Sequence, residues 1–314
     1  MNESMSGFTL RTLPGQVYHW LEGLEDWGRE EHRRLVGELP QPLLDDVLAY
    51  SPKGKGQPLW VKNVWYSPVE IRFSSINEAA QALRSLGALW SNVPGRLHRR
   101  AALIQDKLPR LPQKPKPFPF PLPSTPLGAW TLLEENTLWA SPNCRNPFPQ
   151  GTPPLMENKS DPPSSAYAKL QEALLYYGKT PQPGDFCLDL GAAPGGWTWV
   201  LLELGATVHS VDRAPLDARL LSRPGLTTRQ QDAFSLTPDQ FDAVDWLVCD
   251  VICYPAKLWS WLEPWLASGK VKHYVVTIKM QGEPDWDTLE RFALVPGSRL
   301  LHLAHNKHEV TWIF

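Results

Sequence analysis

Cysteine is scarce in this chain of 314 residues. The four present, Cys144, Cys187, Cys249 and Cys253, lack the spacing of a disulfide framework, so a reducing compartment is the simpler expectation. Cys249 and Cys253 are four apart, but no second Cys or His pair stands nearby at zinc spacing, and no metal is expected. Long apolar runs are missing too: none approaches the roughly 20 residues of a membrane span. The stretch Met1–Gly7 is polar and has no signal-peptide core. No membrane partner is therefore expected, and a cytoplasmic location follows by elimination. Net charge is nearly absent, at −2, which argues against a protein that coats nucleic acid by charge alone and leaves room for a local basic face.

Proline (32) and tryptophan (15) are abundant instead. The tryptophans, Trp60, Trp65, Trp90, Trp130 and Trp139 among them, are scattered as core residues are, though a few could offer flat faces to bases. The length predicts about two domains. In the first, Phe8–Leu13 reads as a strand and Gln16–Trp27 as a helix with Val17, Trp20, Leu21 and Leu24 on one face. A short helix is expected over Leu43–Tyr50, and strands over Leu59–Tyr66 and Pro68–Phe73. Ser75 caps a helix running to Leu86. These elements make a small α+β module, assigned residues 1–108.

A basic stretch follows: Arg96, His98, Arg99, Arg100, Lys107, Arg110, Lys114 and Lys116. It runs into alternating prolines over 112–123, which favour an extended, semi-rigid spacer. Residues 109–126 are expected to be a linker, and the positive charge either follows a phosphate backbone or is simply solvated. The second domain is assigned residues 127–314. From Ser164 onwards an amphipathic helix carrying Lys169 precedes a regular alternation of strands and helices. That alternation predicts an α/β fold, a doubly wound and mostly parallel sheet with an antiparallel final strand. Ligands of such sheets gather at the carboxyl ends of the strands.

The best-marked segment of this domain is Asp189-Leu-Gly-Ala-Ala-Pro-Gly-Gly-Trp197. A short apolar strand runs into glycines at 191, 195 and 196, and a helix follows. Such a turn lets a ligand approach main-chain N–H groups at a positive helix end. It differs from the dinucleotide pattern G-x-G-x-x-G at Ala193 and Pro194. Further acids and bases fall at strand ends: Asp212, an acceptor for ribose hydroxyls; Asp232, within reach of an adenine amino group; and Asp250, Lys279 and Glu309.

This string resembles the S-adenosylmethionine (SAM) loop of the FtsJ-like ribose 2′-O-methyltransferases. Lys169, Asp250, Lys279 and Glu309 occur in the chain order of that family's Lys–Asp–Lys–Glu tetrad. The likeness goes furthest toward the bacterial large-subunit rRNA cytidine 2′-O-methyltransferases, on Ser210-Val-Asp212, Leu247–Asp250, Ile278-Lys279 and His308–Thr311. It implies a Rossmann-like methyltransferase domain behind a THUMP-like RNA-binding domain, with ribosomal RNA or its precursor as partner. It implies SAM as cofactor, held by Asp189, Gly191, Ala193, Pro194, Gly195, Gly196, Trp197, Asp212, Asp232 and Asp250. It also implies catalysis by Lys169, Asp250, Lys279 and Glu309.

A ribose hydroxyl is a poor nucleophile at neutral pH, so a base must take its proton as it attacks. A lysine can do so only where its ammonium form is destabilised, by partial burial and a second cation. Lys279 is expected in that role, with Lys169 steering the hydroxyl and tuning Lys279, and with Asp250 and Glu309 orienting the two lysines. Two other readings stay open. Asp250-Val-Ile-Cys253 has the spacing of cytosine C5-methyltransferases, with Ile252 where those enzymes carry proline. A non-catalytic SAM- or RNA-binding assembly factor is the other.

Overall fold

Two groups of elements each close on a core of their own: Met1–Lys114 with Leu122–Pro154, and Pro115–Pro121 with Leu155–Phe314. The computed structural model describes residues 2–5, 7–111 and 114–314. Met1 and Ser6, within the polar N-terminal stretch, and Pro112 and Gln113, heading the proline run, lie outside the described residues.

The N-terminal unit holds two sheets. The six-stranded one has the order Asn2–Met5, Phe8–Thr12, Val69–Phe73, Thr137–Ser141, Leu127–Glu134, Leu89–Asn92. Helices Ile76–Leu86 and His98–Gln105 share its core, around Ile71, Leu83, Trp90 and Trp130. Ser75 accepts from the Glu78 N–H and caps the first helix as expected. The five-stranded sheet has Gln16–Trp20 at its centre. That strand stands where a helix over Gln16–Trp27 was expected; the helix begins only at Glu25 and runs to Val36. All five strand residues are buried, with Val61–Tyr66 on one side and Leu48–Ser51 on the other. A strand covered on both faces loses its alternation, so its apolar residues imitate helical spacing. The expected helix over Leu43–Tyr50 is a hairpin of Gln41–Leu44 and Leu48–Ser51, turned through Asp45 at φ 43°.

The boundaries also differ from those read in the sequence. Leu127–Glu134 and Thr137–Ser141 pair with each other and, on their outer edges, with Leu89–Asn92 and Val69–Phe73. They complete the first unit instead of opening the second at 127. Part of the expected linker is not a spacer either. The Lys116 carbonyl accepts from the Met156 N–H at 2.8 Å, and Phe118 packs on the core of the second unit. Within the basic stretch, Arg96 pairs with Asp45 and Arg100 donates to the Glu135 carbonyl at 2.6 Å.

The second unit is the α/β sheet that the alternation predicts. In chain order its elements are α1 (Tyr167–Tyr177), β1 (Phe186–Leu190), α2 (Gly196–Glu203), β2 (Thr207–Asp212), α3 (Ala218–Leu221), β3 (Leu226–Gln230), β4 (Val244–Cys249), α4 (Pro255–Ser268), β5 (Val271–Lys279), α5 (Trp286–Ala293), β6 (Arg299–Leu301) and β7 (Glu309–Ile313). The sheet order is β3-β2-β1-β4-β5-β7-β6. The neighbours from β3 to β5 are parallel, while β7 runs antiparallel to both β5 and β6. The chain moves outward from β1 to β3, then returns to start β4 on the other side of β1. That reversal opens a crevice at the carboxyl ends of β1 and β4. Two details depart from expectation: α1 starts at Tyr167, leaving Ser164 without a capping role, and β6 ends at Leu301, short of the strand expected to Asn306.

Candidate active site

The crevice is built first from backbone. The Asp250 N–H donates to the Leu190 carbonyl at 3.0 Å, so the chain leaving β4 runs beside the chain leaving β1. Gly191 stands there at φ 73°, and a Cβ on it would come within 2.8 Å of the Val251 side chain. At the start of α2 a Cβ on Gly196 would meet the Ser164 hydroxyl at 2.5 Å. Glycine is required at 191 by conformation and at 196 by space.

The expected cofactor residues are placed differently from one another. Asp212 ties the turn down: one carboxylate oxygen accepts from the Ala193 N–H at 3.0 Å, the other from the Ala214 N–H at 2.9 Å. Each oxygen keeps a further lone pair. Gly191, Ala193, Pro194 and Gly195 form the turn itself, with Pro194 exposed and Gly195 at φ 117°. Asp232 sits at the end of β3, accepts from the Phe234 N–H at 3.0 Å and pairs with Arg213, whose guanidinium holds its carboxyl below the ordinary range.

Two residues stand away from any open surface. Trp197 is buried and its indole N–H donates to the Ala166 carbonyl at 3.0 Å, so it anchors α2 to the start of α1. Asp189 is buried inside β1, with one oxygen accepting from the Thr198 hydroxyl at 2.6 Å. Thr198 in turn meets Ser210 at 2.8 Å. The second Asp189 oxygen is buried without a partner among the described residues. Burial pushes this carboxyl up to about 7; the Thr198 hydroxyl pulls the other way, and the charges of Asp250 and Asp212 push it further up. The sequence offered no signal for Thr198 or Ser210 beyond their polarity within apolar elements.

Lys169, Asp250, Lys279 and Glu309 lie far apart in the chain and meet in space. Lys169 Nζ is 3.1 Å from Asp250 Oδ1 and 2.6 Å from Glu309 Oε1. Lys279 Nζ is 3.1 Å from the same Asp250 Oδ1 and 2.8 Å from the Asp250 carbonyl. Each comes from a different element: α1, the residue after β4, the end of β5 and the start of β7. The β5–β7 pairing sets Lys279 directly opposite Glu309. Side-chain exposures run from 9% for Lys169 to 17% for Lys279, so the four are shielded yet still reachable from solvent. Two cations and two anions cancel, which makes so much charge tolerable at that depth.

Asn306, unmarked in the sequence reading, is also part of this set. It is buried, and its amide donates to Glu309 Oε1 at 3.3 Å. Cys253 lies three residues beyond Asp250, and burial pushes its thiol up to about 11, against the pull of Lys257 and Lys279. Among the described residues no group of three or more His, Cys, Asp or Glu side chains is placed to hold a metal ion. No helix among them is long and apolar enough to cross a membrane.

Residues 163–295 match the family model of the FtsJ-like methyltransferases. A protein of Halorhodospira halophila named ribosomal RNA large subunit methyltransferase M is 36% identical over 176 residues, 53% of this chain and 51% of its own length. A protein of the same name from Methylococcus capsulatus is 33% identical, over 54% of this chain and 52% of its own. The chain thus spans about half the length of the curated relatives it matches. Among solved structures, a TehB-like SAM-dependent methyltransferase of Corynebacterium glutamicum overlaps 47% of this chain and 95% of its own. Its identity is 18% and its TM-score 0.31, a likeness too slight to carry weight.

Proposed function

We propose, from the FtsJ-like match over 163–295, that this protein is a SAM-dependent RNA methyltransferase acting on a ribose 2′-hydroxyl of large-subunit ribosomal RNA. The single observation that carries the reading is the meeting of Lys169, Asp250, Lys279 and Glu309 beside the glycine turn. The turn fits the cofactor: Asp212 keeps lone pairs for ribose hydroxyls, and the Ser164 hydroxyl is buried beside Gly196 with no hydrogen-bond partner among the described residues. Gly191, Ala193, Pro194, Gly195, Asp212 and Asp232 would hold the cofactor. When bound, it supplies a methyl group on a sulfonium centre.

The rest of the chemistry belongs to the side chains. As a neutral amine, Lys279 can donate its two hydrogens to the two Asp250 oxygens it already touches. Its lone pair is then free for the hydroxyl proton, and it becomes the ammonium as the oxygen attacks. Asp250 Oδ1 is shared by both lysines, and Glu309 fixes Lys169. This orientation is worth more than proton transfer alone, since a held hydroxyl reacts as if at very high concentration. The N-terminal α+β unit, read as THUMP-like, would bind the RNA, and the whole would work in the cytoplasm.

The test is transfer of labelled methyl groups to large-subunit rRNA, followed by mapping of alkali-resistant linkages, the mark of a methylated 2′-oxygen. Lys279→Ala should abolish transfer while SAM binding, measured by calorimetry, persists. Full activity in that variant would remove Lys279 from the base role. Label on a cytosine ring, lost in Cys253→Ala, would replace this reading with C5 methylation. That chemistry needs a thiolate, and the Cys253 thiol is held protonated at neutral pH.

A further inference from the structure

We propose that Glu172 is a positioning residue for this site, closing a ring of bonds that fixes Glu309 against Lys169. The proposal rests on the ribose-methylation reading and extends it to a residue whose carboxylate is held by Ala304 and His305 instead of by the four. Glu172 stands one helical turn beyond Lys169 on α1, so both leave the same side of that helix. Its side chain is 1% exposed. Both of its oxygens are engaged by the segment between β6 and β7: Oε1 accepts from the Ala304 N–H at 2.8 Å, and Oε2 from the His305 N–H at 3.2 Å. The His305 ring nitrogen Nδ1 lies 2.6 Å from Oε2.

The next residue in that segment is Asn306, buried, with its side-chain Oδ1 accepting from the Leu303 N–H at 2.8 Å and the Thr311 hydroxyl at 3.3 Å. Its amide donates to Glu309 Oε1, which is the oxygen Lys169 holds at 2.6 Å. The bonds therefore run from Lys169 to Glu309, to Asn306, along two residues of main chain to Glu172, and back to Lys169 through α1. A carboxylate this deep is costly unless its lone pairs are filled by donors, and here the Ala304 and His305 N–H groups come from the segment that delivers Glu309. Without the clamp the segment loses its bonds to α1 and keeps Asn306, the buried Leu303 side chain, the contact of the His302 ring with the Lys307 carbonyl at 3.0 Å and the Met280 N–H bond to the His308 carbonyl at 2.8 Å. Glu309 would then drift relative to Lys169, and a misplacement of about 1 Å can cost on the order of 100-fold in rate.

The experiment is a double-mutant cycle in the full chain, with labelled SAM and large-subunit rRNA. Glu172→Gln keeps shape and one acceptor but presents an amide to N–H donors. It should lower kcat by about 10-fold or more, leaving KM for RNA and the Kd of SAM within about 2-fold of wild type. In a Glu309→Gln background the same substitution should cause no further loss, because residues acting in series are not additive. Asn306→Ser breaks the link from the other side without touching Glu172 and should repeat both results, which keeps the idea testable if Glu172→Gln does not fold. Unchanged kcat in either folded variant, or a loss that multiplies with that of Glu309→Gln, would overturn the proposal. Lys279→Ala in the same assay separates this outcome from failure of the reaction assignment: if it stays active, the ribose reading falls instead.

Discussion

Each unit buries a glutamate on a helix and spends its oxygens on main-chain N–H groups of a distant segment. In the N-terminal unit, Glu31 accepts from the Leu59 N–H with both oxygens at 2.8 Å, and from the Trp60 N–H at 2.9 Å. In the C-terminal unit, Glu172 holds the Ala304 and His305 N–H groups. The device is the same and its consequence differs, because of what the clamped segment carries next. After Trp60 comes a strand whose Val61, Val64 and Trp65 are core. After His305 come Asn306 and Glu309, and with them two lysines and a second carboxylate. A buried carboxylate satisfied by backbone is scaffolding; one whose segment ends in charges held against each other at strand ends becomes support for chemistry.

The largest effect that could break this contrast is at Asp250. Asp250→Asn leaves the two lysine ammonium groups facing each other without the charge that joins them. Methyl transfer should fall by about 100-fold or more, with the secondary structure seen by circular dichroism unchanged. Wild-type single-turnover rates in Asp250→Asn would mean that the convergence of four charged groups is scaffolding after all.

The two units also differed in how far their sequence could be read. The C-terminal unit was legible because glycine and charge mark strand ends: the turn from Gly191 follows β1, Asp212 and Lys279 close β2 and β5, and Asp250 follows β4. Covered parallel strands read as largely apolar runs, as at Trp246–Cys249 of β4 and Tyr274–Ile278 of β5. The N-terminal unit hid Gln16–Trp20, since a strand buried on both faces carries no alternation. It also hid the exchange at 127, because pairing between Leu127–Glu134 and Leu89–Asn92 is a choice of partner that no local pattern records. In the site, Glu172 and Asn306 went unread for a related reason. Their partners are main-chain N–H groups and an amide, and only folding decides that these meet.

A smaller effect separates Asp189 from the exposed acids. Its folded carboxyl stands at about 7 against 3.8 for the free group. Between these values the unfolded chain has released its proton while the folded chain retains it, so this group's contribution to stability falls as pH rises through that window. It is fully present below about pH 4 and gone above about pH 7. Asp189→Asn lacks the effect, so its stability relative to wild type should climb across the window by up to about 4 kcal/mol at 1.36 kcal/mol per unit. Urea midpoints for loss of SAM binding, taken at pH 4.5, 6 and 7.5, would read it; a flat difference would place the charge of Asp189 elsewhere.

The smallest predicted effect sharpens the contrast most, because it sets one substitution in both units. Glu31→Gln, like Glu172→Gln, exchanges a carboxylate for an amide against the same kind of donors. One oxygen remains to accept, and the new NH2 finds N–H groups where an acceptor is wanted, a loss of about 1–2 kcal/mol. Part of it is offset because burial already pushes Glu31 up to about 7, even with the Trp60 and Leu59 N–H groups and Arg145 pulling down. The variant should therefore show faster hydrogen exchange at the Leu59 and Trp60 amides and a slightly lower unfolding midpoint. Its kcat should match wild type, where Glu172→Gln loses about 10-fold. Equal losses of kcat in the two variants would mean that clamping a segment anywhere in the chain matters to turnover, and the distinction between the two glutamates would dissolve.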